Sequence, residues 1–136
     1  MTVAACALAT SARAEVGWVR ASVGPANILR ARAVAPARAG AALQEGDILV
    51  TGKDGRISIV LVDKTRLAVA PGSRLTITRL AFDAGTRSGA AELGVNRGTV
   101  AVVSGEIAKA NRDGFRVRTP TSLLAARGTS FVVEVP

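Results

Sequence analysis

The chain has 136 residues, 49 % of them hydrophobic, which is one domain's length with enough apolar content to build a core. It contains no His, one Cys and one Trp, which excludes a Ser-His-Asp triad, a Cys-His pair, a His-ligated metal, an intramolecular disulfide and a zinc cluster. Lys and Arg number 18 against 10 Asp and Glu, a net charge of +8, and all but three of the basic residues are Arg. Such an excess attracts acidic proteins, anionic headgroups, polyanions or nucleic acid, although a solvated basic surface is the simpler account.

Residues 1–14 differ from the rest, being small and apolar with no acidic residue. Residues 3–9 are too few to span a bilayer but fit the second half of a secretory signal, with Ala12-Arg13-Ala14 as an A-x-A cleavage site that leaves Glu15 first. Thr2 follows Met1 with no basic segment, as expected of an unusual leader or of a start codon placed too late. Two other readings stay open: Val3-Ala4-Ala5-Cys6 resembles a lipoprotein box that would lipidate Cys6 and bring peripheral membrane association, or the segment is a cytosolic tail. Beyond Glu15 every apolar run is broken within a few residues, so no transmembrane segment is expected. The expected organisation is a signal peptide over 1–14 and one β domain over 15–136.

From Gly17 onward the apolar pattern has a period near two, with turn residues at close intervals. Ile57, Ile59 and Leu61 alternate with Ser58 and Val60, and Leu67 and Val69 lead to Pro71-Gly72-Ser73. Leu75 and Ile77 alternate with Thr76 and Thr78, Val100 and Val102 follow Arg97-Gly98, and Phe115 and Val117 alternate with Arg116 and Arg118. The chain closes on Phe131, Val132, Val133 and Val135. Short β-branched runs bounded by Gly, Pro, Asp or Asn predict an all-β domain. Lys53-Asp54-Gly55 predicts a tight turn in which Gly takes positive φ. Residues 31–42, with Pro36 and Gly40, read as a loop or an imperfect strand pair, and residues 81–89 as a polar loop. The segment Arg97-Gly98-Thr99-Val100-Ala101-Val102-Val103 returns as Arg127-Gly128-Thr129-Ser130-Phe131-Val132-Val133, which suggests stacked rungs.

In order and spacing, a series of segments resembles the FecR domain of bacterial periplasmic proteins. It runs from Gly46-Asp47-Ile48-Leu49-Val50-Thr51-Gly52 through Gly55-Arg56-Ile57-Ser58-Ile59 to Asp63, then Ser73-Arg74-Leu75-Thr76-Ile77 and Arg97-Gly98-Thr99-Val100. It closes with Phe115-Arg116-Val117-Arg118-Thr119-Pro120 and Arg127-Gly128-Thr129-Ser130-Phe131. The resemblance spans about residues 16–135 and implies short antiparallel or mixed strands in a solenoid-like stacked β-sandwich, located in the periplasm. Well-known members relay an outer-membrane receptor's state to a cytoplasmic sigma factor. They carry an anti-sigma segment, a transmembrane helix and a receptor-docking module that this sequence does not show. The resemblance is therefore to stand-alone exported FecR-domain proteins, or to a fragment of a longer product.

Most residues of these segments suit turn chemistry. Gly46, Gly55, Gly98 and Gly128 sit where strands turn, Asp47 and Asp63 would cap turns, Pro120 fits a corner, and Thr119 and Thr129 would satisfy turn amides. Phe131 belongs to the closing strand. Gly46 to Lys53 fails as a phosphate loop, because five residues separate Gly46 from Gly52 and Asp54 stands where Ser or Thr would hold magnesium. Glu45 and Asp47 are the one close acidic pair, better suited to a turn than to a cation, and Ser104 with Lys109 has only spacing to suggest a nucleophile and base. No catalytic residue, metal or cofactor is expected. Arg116 and Arg118 share one strand face, and with Arg127 they are the candidate anion- or partner-binding residues; the competing reading is a solvated face. Trp18 reads as a cover for the core or an edge rather than a ligand platform.

The function expected is that of a non-enzymatic, exported binding or regulatory module that docks an envelope protein, with strand addition as the physical mode. The alternatives are an envelope-attached structural protein and a polyanion binder. Nucleic acid is not expected as a partner, because single-strand binders interleave aromatics with basic groups and this chain has three Phe and one Trp.

Overall fold

A computed structural model of the chain describes residues 15–31, 33–83, 85–86, 88–121, 123–125 and 130–135. Residues 1–14, with Cys6 and the expected cleavage site, and Arg127, Gly128 and Thr129 lie outside the described residues.

Among the described residues, period-two patterning builds twelve strands in a single sheet. They are β1 (Glu15–Val23), β2 (Ala26–Arg30), β3 (Ala33–Pro36), β4 (Ala42–Gln44), β5 (Ile48–Thr51), β6 (Arg56–Leu61), β7 (Arg66–Val69), β8 (Arg74–Asp83), β9 (Ser88–Val103), β10 (Phe115–Arg118), β11 (Leu123–Ala125) and β12 (Ser130–Val135). One short helix, α1 (Glu106–Ala110), and a 3-10 turn (Arg112–Gly114) link β9 to β10. All strand pairs are antiparallel except β9 with β10.

The long strand β9 joins two wings. Its first half pairs with β8 and β10, in the order β3-β2-β5-β8-β9-β10-β11, here wing B. Its second half pairs with β7 and β12, in the order β4-β1-β6-β7-β9-β12, here wing A. The sheet curls so that the inner faces of both wings share one buried cluster. Leu43, Ile57, Leu61 and Val102 enter it from wing A, and Leu49, Leu75, Leu93 and Phe115 from wing B. Each such fully buried Leu or Ile contributes about 2 kcal/mol of hydrophobic stabilisation.

The all-β expectation therefore holds, but the stacked, solenoid-like sandwich does not: the architecture is a curled half-barrel sheet. The repeated segments explain part of the difference. Rather than stacking as rungs, the described parts of the two copies pair side by side, with Val102 opposite Phe131 and Val100 opposite Val133.

Two β-bulges keep both wings facing inward. Arg97 pairs with Arg74 and Val95 with Leu75, which leaves Asn96 as an extra residue in β9. One extra residue flips the alternation, so that buried Ala91, Leu93 and Val95 give way to buried Val100 and Val102. In β8, Thr78 is the extra residue between the pairs Ile77–Leu93 and Arg79–Glu92, and burial shifts from Leu75 and Ile77 to Leu80. Gly98 follows the β9 bulge at φ +88°, and a Cβ there would collide with the Ser73 backbone and side chain.

Two local expectations need correction. Residues 81–89 are not a loop but the end of a long hairpin, with Ala81 paired to Ala90, Phe82 to Gly89 and Asp83 to Ser88. Its tip is tied by the Gly85 N–H donating to Asp83 Oδ1 (2.9 Å). The turn at Lys53-Asp54-Gly55 forms, closed by Gly55 N–H to Gly52 O at 3.1 Å, but Gly55 is not among the positive-φ residues. It is Gly because the Pro25 carbonyl occupies the space a Cβ would need. Residues 31–42 contain β3, which pairs with β2, and lead into β4.

Candidate partner-binding site

Three buried polar joints hold the wings. Asp47 is fully buried between β4 and β5, where its carboxylate takes a bidentate fork from Arg30, Nε to Oδ1 at 2.8 Å and an Nη to Oδ2 at 2.7 Å. It also accepts from the Gln44 N–H at 2.9 Å. The hydrogen bond to Asp47 raises the Arg30 pKa above its ordinary value. Asp63, also fully buried, accepts from the Thr65 N–H (3.1 Å), the Thr65 hydroxyl (2.8 Å) and the Ile107 N–H at the start of α1 (3.2 Å). The third joint is Thr51 with Ser73: the Ser73 N–H donates to Thr51 Oγ1 at 2.9 Å and the Thr99 N–H to Ser73 Oγ at 3.0 Å. Every one of these groups has protein partners, so the joints anchor the fold and present nothing to a ligand.

The other singled-out positions divide as follows. Gly46 turns β4 into β5 at φ +91°, and Glu45 accepts from the Leu80 N–H at 3.0 Å, so Glu45 and Asp47 are each bound to protein donors. Ser104 is buried at the end of β9, and Lys109 is exposed in the last turn of α1. Half-buried Thr119 and exposed Pro120 lead out of β10, and Phe131 packs partly buried against the core. Among the described residues there is no group of three or more metal-ligating side chains, and no helix is long and apolar enough to cross a membrane.

Arg116 and Arg118 point outward from β10 while Phe115 and Val117 point into the core. Register brings three further Arg residues to the same outer face. Arg116 stands opposite Glu92 and Arg118 opposite Gly94 on β9, while Arg79 on β8 flanks Glu92 from the other side and Arg74 lies opposite Arg97. Glu92 is the one acid among them. It pairs with Arg118 Nε at 3.1 Å and reaches an Arg79 terminal nitrogen at 3.9 Å. Arg116 Nε donates to the Asp113 carbonyl at 3.0 Å, which fixes the guanidinium stem. Arg74, Arg97 and Arg116 have no ion-pair partner among the described residues. Two Arg directly opposite each other repel, so this face carries an electrostatic cost that an anionic partner would relieve.

Sequence reasoning found Arg116 and Arg118 but not Arg74, Arg79 or Arg97. A signal existed, since Arg74 alternates with Leu75. What it lacked was the register between strands some twenty residues apart and the parallel pairing of β9 with β10.

The outer face of wing A is its chemical opposite. The row Ala21, Ser58, Ala68, Ala101 and Val132 crosses five strands in register. A second row runs Trp18, Val60, Arg66, Val103 and Ser130. Of the six exposed large hydrophobics among the described residues, four (Trp18, Val23, Val103 and Val132) lie here. Trp18 is thus part of an outward apolar face rather than a cover for the core. A shallow depression of about 410 Å³ lies over Ser58, Ala68, Ala101 and Val132.

The chain is an all-β domain built on one curled sheet, braced by buried Asp joints and carrying two contrasting outer faces. Residues 47–135 match the family described as FecR protein, so the chain belongs to that family. The match covers more than half of the chain and includes Asp47, Asp63, Gly98 and all five Arg of the basic face, while β1 to β4 precede it. No curated protein and no solved structure matches the chain.

Proposed function

We propose that this protein is an exported, non-enzymatic regulatory module of envelope sensing that docks a protein partner through the basic outer face of wing B. A FecR domain is a regulatory, signal-transducing unit, and family membership supports that part of the reading. The observation that favours docking there is that Arg74, Arg79, Arg97, Arg116 and Arg118 share one outer face with a single acid, Glu92, which adjoins only Arg79, Arg116 and Arg118. Guanidinium groups fork onto carboxylates, so an acidic patch on a partner protein is the complementary surface. The leader-like residues 1–14 support a periplasmic location.

The test is a crosslinking pull-down of the tagged full-length protein from its native envelope, with Arg116→Glu/Arg118→Glu as a parallel bait. A discrete partner lost by the double variant is the expected result. A partner retained by it moves the site elsewhere, and recovery of no partner counts against docking. Mass spectrometry of the mature N-terminus tests export: Glu15 first is expected, and acylated Cys6 would make the protein envelope-anchored. A polyanion in place of a protein partner would show itself by steep loss of binding with salt.

A further inference from the structure

The apolar outer face of wing A calls for a partner of different chemistry from the one proposed for wing B. Its centre, Ala68 opposite Ala101, is small enough for another sheet to approach to the usual spacing of about 10 Å. Val132, 64 % exposed, and Val103, 46 % exposed, stand beside that centre with no cover among the described residues.

Two of the charges on this face, Arg56 and Glu134, are arranged self-complementarily, whereas Arg66 in the second row comes over the second copy's Val103. Arg56 lies two residues before Ser58 on β6, and Glu134 lies two residues after Val132 on β12. Ser58, Ala68, Ala101 and Val132 form one row, and the strands alternate in direction, so Arg56 and Glu134 fall at the same height, with β7 and β9 between them. Neither has an ion-pair partner among the described residues. A two-fold axis along the strands, midway between β7 and β9, sets β6 of one copy over β12 of another and β7 over β9. Arg56 then meets the second copy's Glu134, Ala68 meets the second copy's Ala101, and Ser58 meets the second copy's Val132, each twice by symmetry. The long Arg side chain absorbs the displacement introduced by the rotation of about −30° between aligned packed sheets.

From these positions we infer that the outer face of wing A is a self-association surface, and that a second copy of this chain covers it to form a two-fold symmetric dimer. The four strands β6, β7, β9 and β12 at about 4.8 Å spacing and six residues at about 3.3 Å rise give a contact of roughly 400 Å² per copy. That is below the size of stable specific interfaces, so the dimer is a weak, reversible one. The inference is independent of the docking proposed for wing B, which lies on the other side of the core.

Sedimentation velocity of the full chain over a concentration series is the test. Wild type is expected to shift from monomer to dimer across the micromolar range. Arg56→Glu and Glu134→Arg should each weaken the dimer about tenfold, and the exchange Arg56→Glu/Glu134→Arg should restore it to within about twofold of wild type. Ala101→Arg, checked for folding by circular dichroism, should abolish it. Three results overturn the inference: a wild type that stays monomeric to about 500 µM, a dimer indifferent to Ala101→Arg, or a charge exchange that fails to restore association.

Discussion

The two outer faces of the sheet rest on the same core and share the strand β9, which gives Glu92 and Arg97 to one and Thr99, Ala101 and Val103 to the other. Wing B is crowded with long cationic side chains, whereas wing A is mostly apolar, with Arg56, Arg66 and Glu134 among its few charges. Packing fixes the inward positions of both wings, and the Asn96 bulge keeps them in phase. Outward positions escape that constraint. On the two proposals above, the contrast between the faces reports on what each meets outside the molecule.

If that division is right, changes at the joints should destroy both faces together, and changes on one face should leave the fold and the other face alone. The largest effect is expected from Asp63→Ala, which strips three buried donors of their acceptor. A loss of about 3 kcal/mol or more, seen as a fall of about 10 °C in Tm, should accompany loss of both associations. Gly98→Ala comes next: positive φ and the clash with Ser73 should cost about 2 to 3 kcal/mol in denaturant unfolding.

Arg30→Met should cost about 2 kcal/mol, less than a fully buried pair because the Arg30 side chain is 44 % exposed while the Asp47 side chain is 1 % exposed. The pH dependence follows from the raised Arg30 pKa. A cation whose folded pKa is raised contributes fully below its unfolded pKa and loses that contribution only as pH climbs through the folded one. Chemical unfolding of wild type should therefore show no loss traceable to Arg30 between about pH 7 and pH 10.

The smallest stability effects belong to the faces. Arg116→Glu/Arg118→Glu should change unfolding free energy by at most about 1 kcal/mol, most of it from the new repulsion with Glu92. Ala101→Arg should stay within about the same limit. A face variant that unfolds the protein would break the division, and a joint variant that removes one association while sparing the other would break it from the opposite side.

The sequence displayed the strands plainly, because Ile57, Ile59 and Leu61 or Leu75 and Ile77 need only local alternation to be read. It also showed that Asp47 and Asp63 lie at turns, though not that Arg30, 17 residues from Asp47, is its partner. The curled sheet stayed hidden because it depends on the two bulges and on β9 serving both wings, which are non-local facts. The hairpin at 81–89 was obscured by its polar composition: outward positions near a hairpin tip look like loop. The short helix α1 has five residues and no side-chain cap, and it is held by Asp63 from 44 residues away, so no local signal announced it. Both faces were illegible for one reason. Arg74, Arg79, Arg97, Arg116 and Arg118 become a cluster, and Ser58, Ala68, Ala101 and Val132 a row, only once register is known.

The most direct test of the division between the faces uses two baits in parallel crosslinking from the native envelope, Arg116→Glu/Arg118→Glu and Ala101→Arg, each verified as folded. The account predicts that the first loses the partner protein and keeps self-association, while the second keeps the partner protein and loses self-association. A partner protein retained by the first bait and lost by the second would contradict it.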